Sequence, residues 1–89
     1  MLVIRPTAQF KKDLKKAKKQ KHDLELLQKV LSILMEQKPL PPSYKDHKLK
    51  GKWQDFRECH IEPDWLLIYL TTDKELRPVR IGTHSELFA

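Results

Sequence analysis

Hydrophobic positions change their period along this chain, and each change marks an element. Leu2-Val3-Ile4 is a short apolar run closed by Pro6, which predicts a first strand, Leu2 to Arg5, at or near a sheet edge. Phe10, Leu14 and Ala17 then recur at helical spacing behind Thr7, whose hydroxyl suits an N-cap. Lys11, Lys12, Lys15, Lys16, Lys18 and Lys19 fill the remaining faces of this amphipathic helix, opposed only by Asp13. Lys21-His22 breaks the pattern, and His22 reads as an exposed junction residue. Asp23 is placed to cap a second helix, in which Leu24, Leu27, Leu31 and Leu34 form a stripe with Leu26, Val30 and Ile33 beside it. Pro39 stops it. So short a break predicts an antiparallel helical hairpin whose wide apolar stripe covers one face of a sheet.

Pro39 to Ser43 is a stiff, extended connection, and Tyr44 to Trp53 is a polar, basic loop punctuated by aromatics. Phe56 to Tyr69 then reads as two strands joined at Glu62-Pro63-Asp64, where Pro63 supplies the fixed φ of a type I turn. The second strand, Trp65 to Leu70, is apolar throughout, as a strand covered on both faces must be. In the first, alternation puts Phe56, Glu58 and His60 on one side and Arg57, Cys59 and Ile61 on the other. Thr72-Asp73-Lys74 turns the chain into a last strand, Leu76 to Thr83, with Val79 and Ile81 on one face and Arg80 and Gly82 on the other. If Cys59, Ile61, Val79 and Ile81 meet the helices, Glu58, His60 and Arg80 gather on an uncovered face, within reach of His84. The tail brings Phe88 either to the sheet's edge as a plug or over that open face. The expected fold is α+β: an N-terminal strand, an antiparallel helical hairpin, then antiparallel strands in a twisted sheet.

Composition narrows the function. Eighty-nine residues make one domain, 1–89, which buries only about 60–65% of the surface its unfolded chain exposes. Eighteen Lys and Arg against twelve Asp and Glu leave a net charge of +6, which calls for a polyanionic or acidic partner, nucleic acid first and an acidic protein second. Basic charge also serves solubility alone. The single cysteine, Cys59, forms no internal disulfide and reads as a small core residue, which suits a reducing cytoplasm. No run is long enough to span a bilayer, so no membrane partner is expected. Two glycines, Gly51 and Gly82, exclude a Gly-rich phosphate loop or dinucleotide fingerprint.

The gathered set suits cleavage of RNA by its own 2′-hydroxyl. A base takes the hydroxyl proton, a cation steadies the phosphoryl oxygens, and an acid protonates the departing 5′-oxygen, with histidine fitted to both transfers. Lys45, Lys50 and Lys52, interleaved with Tyr44 and Trp53, suit contacts to phosphates and bases. A zinc centre from His47, His60 and His84 with Asp64 competes, although no compact His pair supports it. The plainest alternative makes His60 a satisfied sheet histidine, Asp64 a turn former, Trp65 core and Phe88 a hydrophobic latch.

Four segments together resemble the YafQ branch of the RelE/ParE superfamily of bacterial type II toxins: Tyr44-Lys45-Asp46-His47, Leu49-Lys50-Gly51-Lys52-Trp53, His60 through Tyr69, and Arg80-Ile81-Gly82-Thr83-His84 with Leu87-Phe88. The first helix matches only in its basic amphipathic character. The resemblance implies a RelE-like fold and a ribosome-dependent endoribonuclease that cuts mRNA in the decoding site and is neutralised by a cognate acidic antitoxin; with no compact metal-ligand spacing, the enzyme is expected to be metal-independent and to need no cofactor. It implies His47 and His84 as the proton-transfer pair, His60 and Asp64 as residues that position RNA, Glu58 as an acidic participant and Arg80 as the phosphate-stabilising cation. Phe88 and Trp65 are expected to contact substrate with the loop lysines, the basic first helix to meet ribosomal RNA, and the free chain to be monomeric. A gyrase poison of the ParE type and a non-catalytic nucleic-acid-binding module are the alternatives.

Overall fold

The two apolar stripes and the all-apolar strand assemble into helices packed on a sheet, seen here in a computed structural model that describes residues 1–88. The strands are β1 (Val3–Ile4), β2 (His47–Lys48), β3 (Arg57–Glu62), β4 (Trp65–Thr71) and β5 (Glu75–Gly82); the helices are α1 (Ala8–Lys19), α2 (Leu24–Met35) and α3 (His84–Phe88). They form a mixed sheet in the order β1-β5-β4-β3-β2, with β1 parallel to β5 and every other pair antiparallel. The expected α+β class and helical hairpin are present. Both expected caps form: Thr7 Oγ1 accepts from the Phe10 amide at 3.0 Å and Asp23 Oδ1 from the Glu25 amide at 3.0 Å, each satisfying a donor the helix cannot.

Leu27, Val30 and Leu34 of α2 and Phe10 and Ala17 of α1 close over Cys59, Ile61, Trp65, Leu67, Tyr69, Leu76 and Ile81 to make the main core. Cys59 is buried there as a small hydrophobe, and burial pushes its thiol up to about 12. In the middle of the sheet, Trp65 to Tyr69 are all buried. Alternation sends Trp65, Leu67 and Tyr69 to the helices, and Leu66 and Ile68 to the opposite face.

That opposite face is not bare. Leu66 and Ile68 are covered by Leu87 of α3 and by Leu49, Trp53, Phe56 and Val79, a second, smaller apolar cluster. An apolar strand has to be dry on both sides, and the segment around Trp53 together with α3 supplies the cover. Val79 corrects a second expectation. Ile68 pairs with Arg80 and Tyr69 with Pro78, so Val79 is the extra residue of a bulge. The bulge shifts the alternation by one, which returns Ile81 to the main core while Val79 joins the second cluster.

The hairpin closes as expected. Glu62 pairs with Trp65 across Pro63-Asp64, and neither turn residue has a positive φ, as a type I turn requires. Beyond β1 the outer edge of β5 is sealed by hydrogen bonds from the helical side. The Thr7 amide and hydroxyl donate to the carbonyls of Pro78 (3.1 Å) and Val79 (2.8 Å), and Asp13 Oδ2 accepts from the Ile81 amide (3.2 Å). Among the described residues, no helix is long and apolar enough to cross a membrane.

Candidate active site

Strand register places the chemistry. Arg80, Ile68, Glu58 and His47 are successive partners across β5, β4, β3 and β2, and His60 lies two residues along β3 from Glu58, on the same side of the sheet. Glu58 is only 5% exposed, the register partner of Ile68 on the side of the sheet that the second apolar cluster covers. A buried carboxylate is costly without positive or hydrogen-bonding partners. Here the partners are imidazoles: His60 Nε2 stands 3.3 Å and His47 Nε2 3.7 Å from Glu58 Oε1.

His47 comes from a two-residue strand inside what reads from sequence as plain loop. Its Nδ1 lies 2.7 Å from the carbonyl oxygen of Lys45. A carbonyl only accepts, so Nδ1 carries a proton, and Nε2 is the ring nitrogen turned toward Glu58. His84 opens α3, and Asp64, in the hairpin turn, holds it twice. Asp64 Oδ1 accepts from the His84 amide at 2.9 Å and lies 2.7 Å from its Nδ1. These two bonds keep the Asp64 carboxyl below the usual carboxylate range. They also leave His84 Nε2 as the ring's free nitrogen. His60 neighbours both other rings, with centroids 6.4 Å from His47 and 5.6 Å from His84. Beside His60, a groove of about 410 Å³ is lined by Ser43, Tyr44, Lys45, Ile61, Glu62 and Pro63.

Not every expected residue joins this cluster. Arg80 starts in its row, but the guanidinium turns over the sheet's edge to α1, donating to Asp13 from Nε at 3.1 Å and Nη2 at 3.0 Å. Buried Asp13 attracts it there, and the pairing raises the pKa of Arg80. Trp65, expected against substrate, is 1% exposed in the helix-side core, because the register points it away from Glu58. His22, read as exposed, is half-buried and stacks on Trp65 at 4.5 Å and 3°, with Nδ1 3.4 Å from Glu62 Oε1. Phe88 is 43% exposed and meets the Trp53 ring edge-on at 6.5 Å, so the tail lies over the second face. Lys45, Lys50 and Lys52 are exposed.

The family of the "bacterial toxin of type II toxin-antitoxin system, YafQ" matches residues 2–89. The chain belongs to the YafQ toxin family. It is 46% identical over 86 residues to the mRNA interferase toxin YafQ of Escherichia coli K12, covering 96% of this chain and 94% of that protein. Among solved structures, it is similar to YafQ in the E. coli DinJ-YafQ complex, with 44% identity, TM-score 0.92 and full coverage of both chains. It is also similar to a copper-bound mutant toxin from Helicobacter pylori, with 46% identity and TM-score 0.95 over 99% of this chain and 100% of that one.

Among the described residues of this YafQ-family chain, a metal would find one set of donors near the imidazoles. Glu58, His60 and His84 each offer a ligand atom, and the three atoms lie within 4.8 Å of one another, a carboxylate and two nitrogens suited to zinc or copper. Reading the sequence alone misses α3 and its cap. The signal is present: Thr83-His84-Ser85-Glu86 has the spacing of a capping box, and here the Thr83 amide donates to Glu86 Oε1 at 2.8 Å while Thr83 Oγ1 accepts from the Glu86 amide at 3.3 Å. Asp13 and Asp46 are missed as well, because their partners are distant in sequence.

Proposed function

We propose that this toxin is an mRNA interferase that cuts message in the ribosomal decoding site, without a metal, by attack of the 2′-hydroxyl on the adjacent phosphate. One of His47 and His84 takes the proton from O2′ as the O2′–P bond forms. The other gives a proton to O5′ as the P–O5′ bond breaks, leaving a 2′,3′-cyclic phosphate and a 5′-hydroxyl. Asp64 keeps His84 in one tautomer and steadies positive charge on it; Glu58 does the same for His60, which faces the phosphoryl oxygens. Arg80 reaches the phosphate only by giving up Asp13. Phe88 and Trp53, with Lys45, Lys50 and Lys52, form the bank along which the message lies.

The observation that carries this reading is the pair of imidazoles, His47 and His84, each held by an acceptor on Nδ1, with Nε2 of His84 free and Nε2 of His47 3.7 Å from Glu58, beside a third imidazole. The name of the E. coli relative supports the substrate class, and its complex with DinJ supports a cognate antitoxin as partner. The reading places the toxin in the cytoplasm, monomeric when free of its antitoxin, with the lysine face of α1 docked on ribosomal RNA.

Primer extension on an mRNA with and without ribosomes tests it. Cleavage is expected only with ribosomes and is expected to persist in EDTA, while added zinc or copper inhibits by occupying His60 and His84. His84→Ala is expected to abolish cutting and growth arrest with circular dichroism unchanged, since each proton transfer contributes about 10²–10⁴-fold. A toxic His84→Ala variant, or arrest with intact message and inhibited gyrase, overturns it.

A further inference from the structure

We propose that Asp46, Tyr69 and Arg57 form a clamp that positions His47 for proton transfer; the catalytic half of this proposal rests on the RNA-cleavage reading above. His47 needs such a device. It stands on a strand of two residues whose only register partners are Glu58 for His47 and Arg57 for Lys48. So short a ladder gives little rigidity by itself.

The preceding residue supplies it. The Asp46 carboxylate lies 2.6 Å from Tyr69 Oη and accepts from Arg57 Nε at 3.2 Å and Nη2 at 3.3 Å. Tyr69 is 2% exposed on the central strand, with its ring in the main core, and is the register partner of Arg57. Burial, reinforced by Asp46, holds the phenol well above its ordinary pKa, so its hydroxyl is a donor at any working pH. The carboxylate thus ties the loop to β3 and β4 through charge-assisted bonds, which are the strong ones.

Asp46 and His47 are neighbours, so an anchor on Asp46 fixes the backbone from which His47 projects. Consecutive extended residues point to opposite sides. Asp46 meets Tyr69, a residue of the helix-covered side, and His47 meets Glu58 on the other. From the other direction, Lys45 in the left-handed conformation (φ 50°) brings its carbonyl to His47 Nδ1. Lys45 sets the turn of the ring; Asp46 sets where the ring is. None of the three clamp residues touches reacting atoms, so they are positioning residues, and a displacement of about 1 Å at such a place can cost ~10²-fold in rate.

Tyr69→Phe keeps the ring and deletes only the hydroxyl, Asp46→Asn keeps the shape without the charge, and Asp46→Ala removes the anchor. Ribosome-dependent cleavage is measured as kcat and KM, with long-range ¹⁵N–¹H NMR of the imidazoles in the free toxin. Tyr69→Phe is expected to lower kcat about tenfold and Asp46→Ala about a hundredfold, with Asp46→Asn between them and KM within about twofold. The His47 ring signals move toward mixed tautomers while those of His84 stay as in the parent. Parental kcat in Tyr69→Phe and Asp46→Asn, or a fallen kcat with unmoved His47 signals, overturns the clamp. Where Asp46→Ala does not fold, Tyr69→Phe decides. Should the parent toxin prove not to cut RNA, the cleavage reading fails alone, because the NMR response of His47 still tests the clamp.

Discussion

Asp13 accepts four hydrogen bonds, from Gln9, the Ile81 amide and both Nε and Nη2 of Arg80, while almost fully buried beneath a helix otherwise covered in lysine. Removing the guanidinium strands a charge that the remaining two donors only partly satisfy. Arg80→Gln is therefore expected to cost about 2 kcal/mol of stability, seen as a lower urea midpoint with an unchanged slope. If Arg80 instead serves the phosphate alone, the midpoint stays and only cleavage falls. From sequence, Asp13 looks like one acid among six lysines on a solvated face, and its partner is 67 residues away, so no local pattern announces the pair. Glu58 and His60 are legible because alternation along one strand puts them on the same side, and His84 because it follows the end of the last strand; His47 gains its proton-transfer role only from the family resemblance, since its two-residue strand has no period to read.

A five-residue helix has too little periodicity to be read from its apolar positions, yet α3 carries one of the two proposed proton-transfer groups. Its anchors are side chains: the Thr83–Glu86 box, Asp64, and Lys16 at 2.6 Å from Glu86. The Lys16 ammonium, with the Thr83 amide next and Gln20 after it, holds the Glu86 carboxyl down to about 2, against 4.5 when unpaired. A carboxyl depressed in the folded state stabilises fully above the unfolded value and loses that contribution as pH falls toward the folded one. Backbone NMR shifts of His84 to Leu87 are accordingly expected to leave their helical values between pH 4.5 and about 2. In Glu86→Gln this acid transition is absent and the helix is frayed at neutral pH. A transition unaltered by the substitution assigns it to another carboxyl.

At the scale of the whole molecule, exposed lysines line α1 while two apolar cores lie on the two faces of the sheet. Lys11, Lys12, Lys15, Lys18 and Lys19 are exposed on α1, and Lys16, also exposed, pairs with Glu86. Reversing Lys11, Lys15 and Lys18 to glutamate is expected to weaken ribosome sedimentation and to flatten its dependence on log salt by about 2, three phosphates at ~0.7 each on RNA. An unchanged slope places the ribosomal contact elsewhere. The helical hairpin, the central strand and the main core are readable because their periods repeat over many residues. The cover of the second face is not: a bulge at Val79 resets the alternation, and Leu49, Trp53, Phe56 and Leu87 come from three short segments with no shared period. The partition of the two cores has a practical corollary. The chain has two tryptophans, Trp65 sealed against His22 in the larger core and Trp53 against Phe88 in the smaller one. Each half of the protein therefore carries its own built-in fluorophore, and single-tryptophan versions would distinguish a loosening of the terminal segment from melting of the whole.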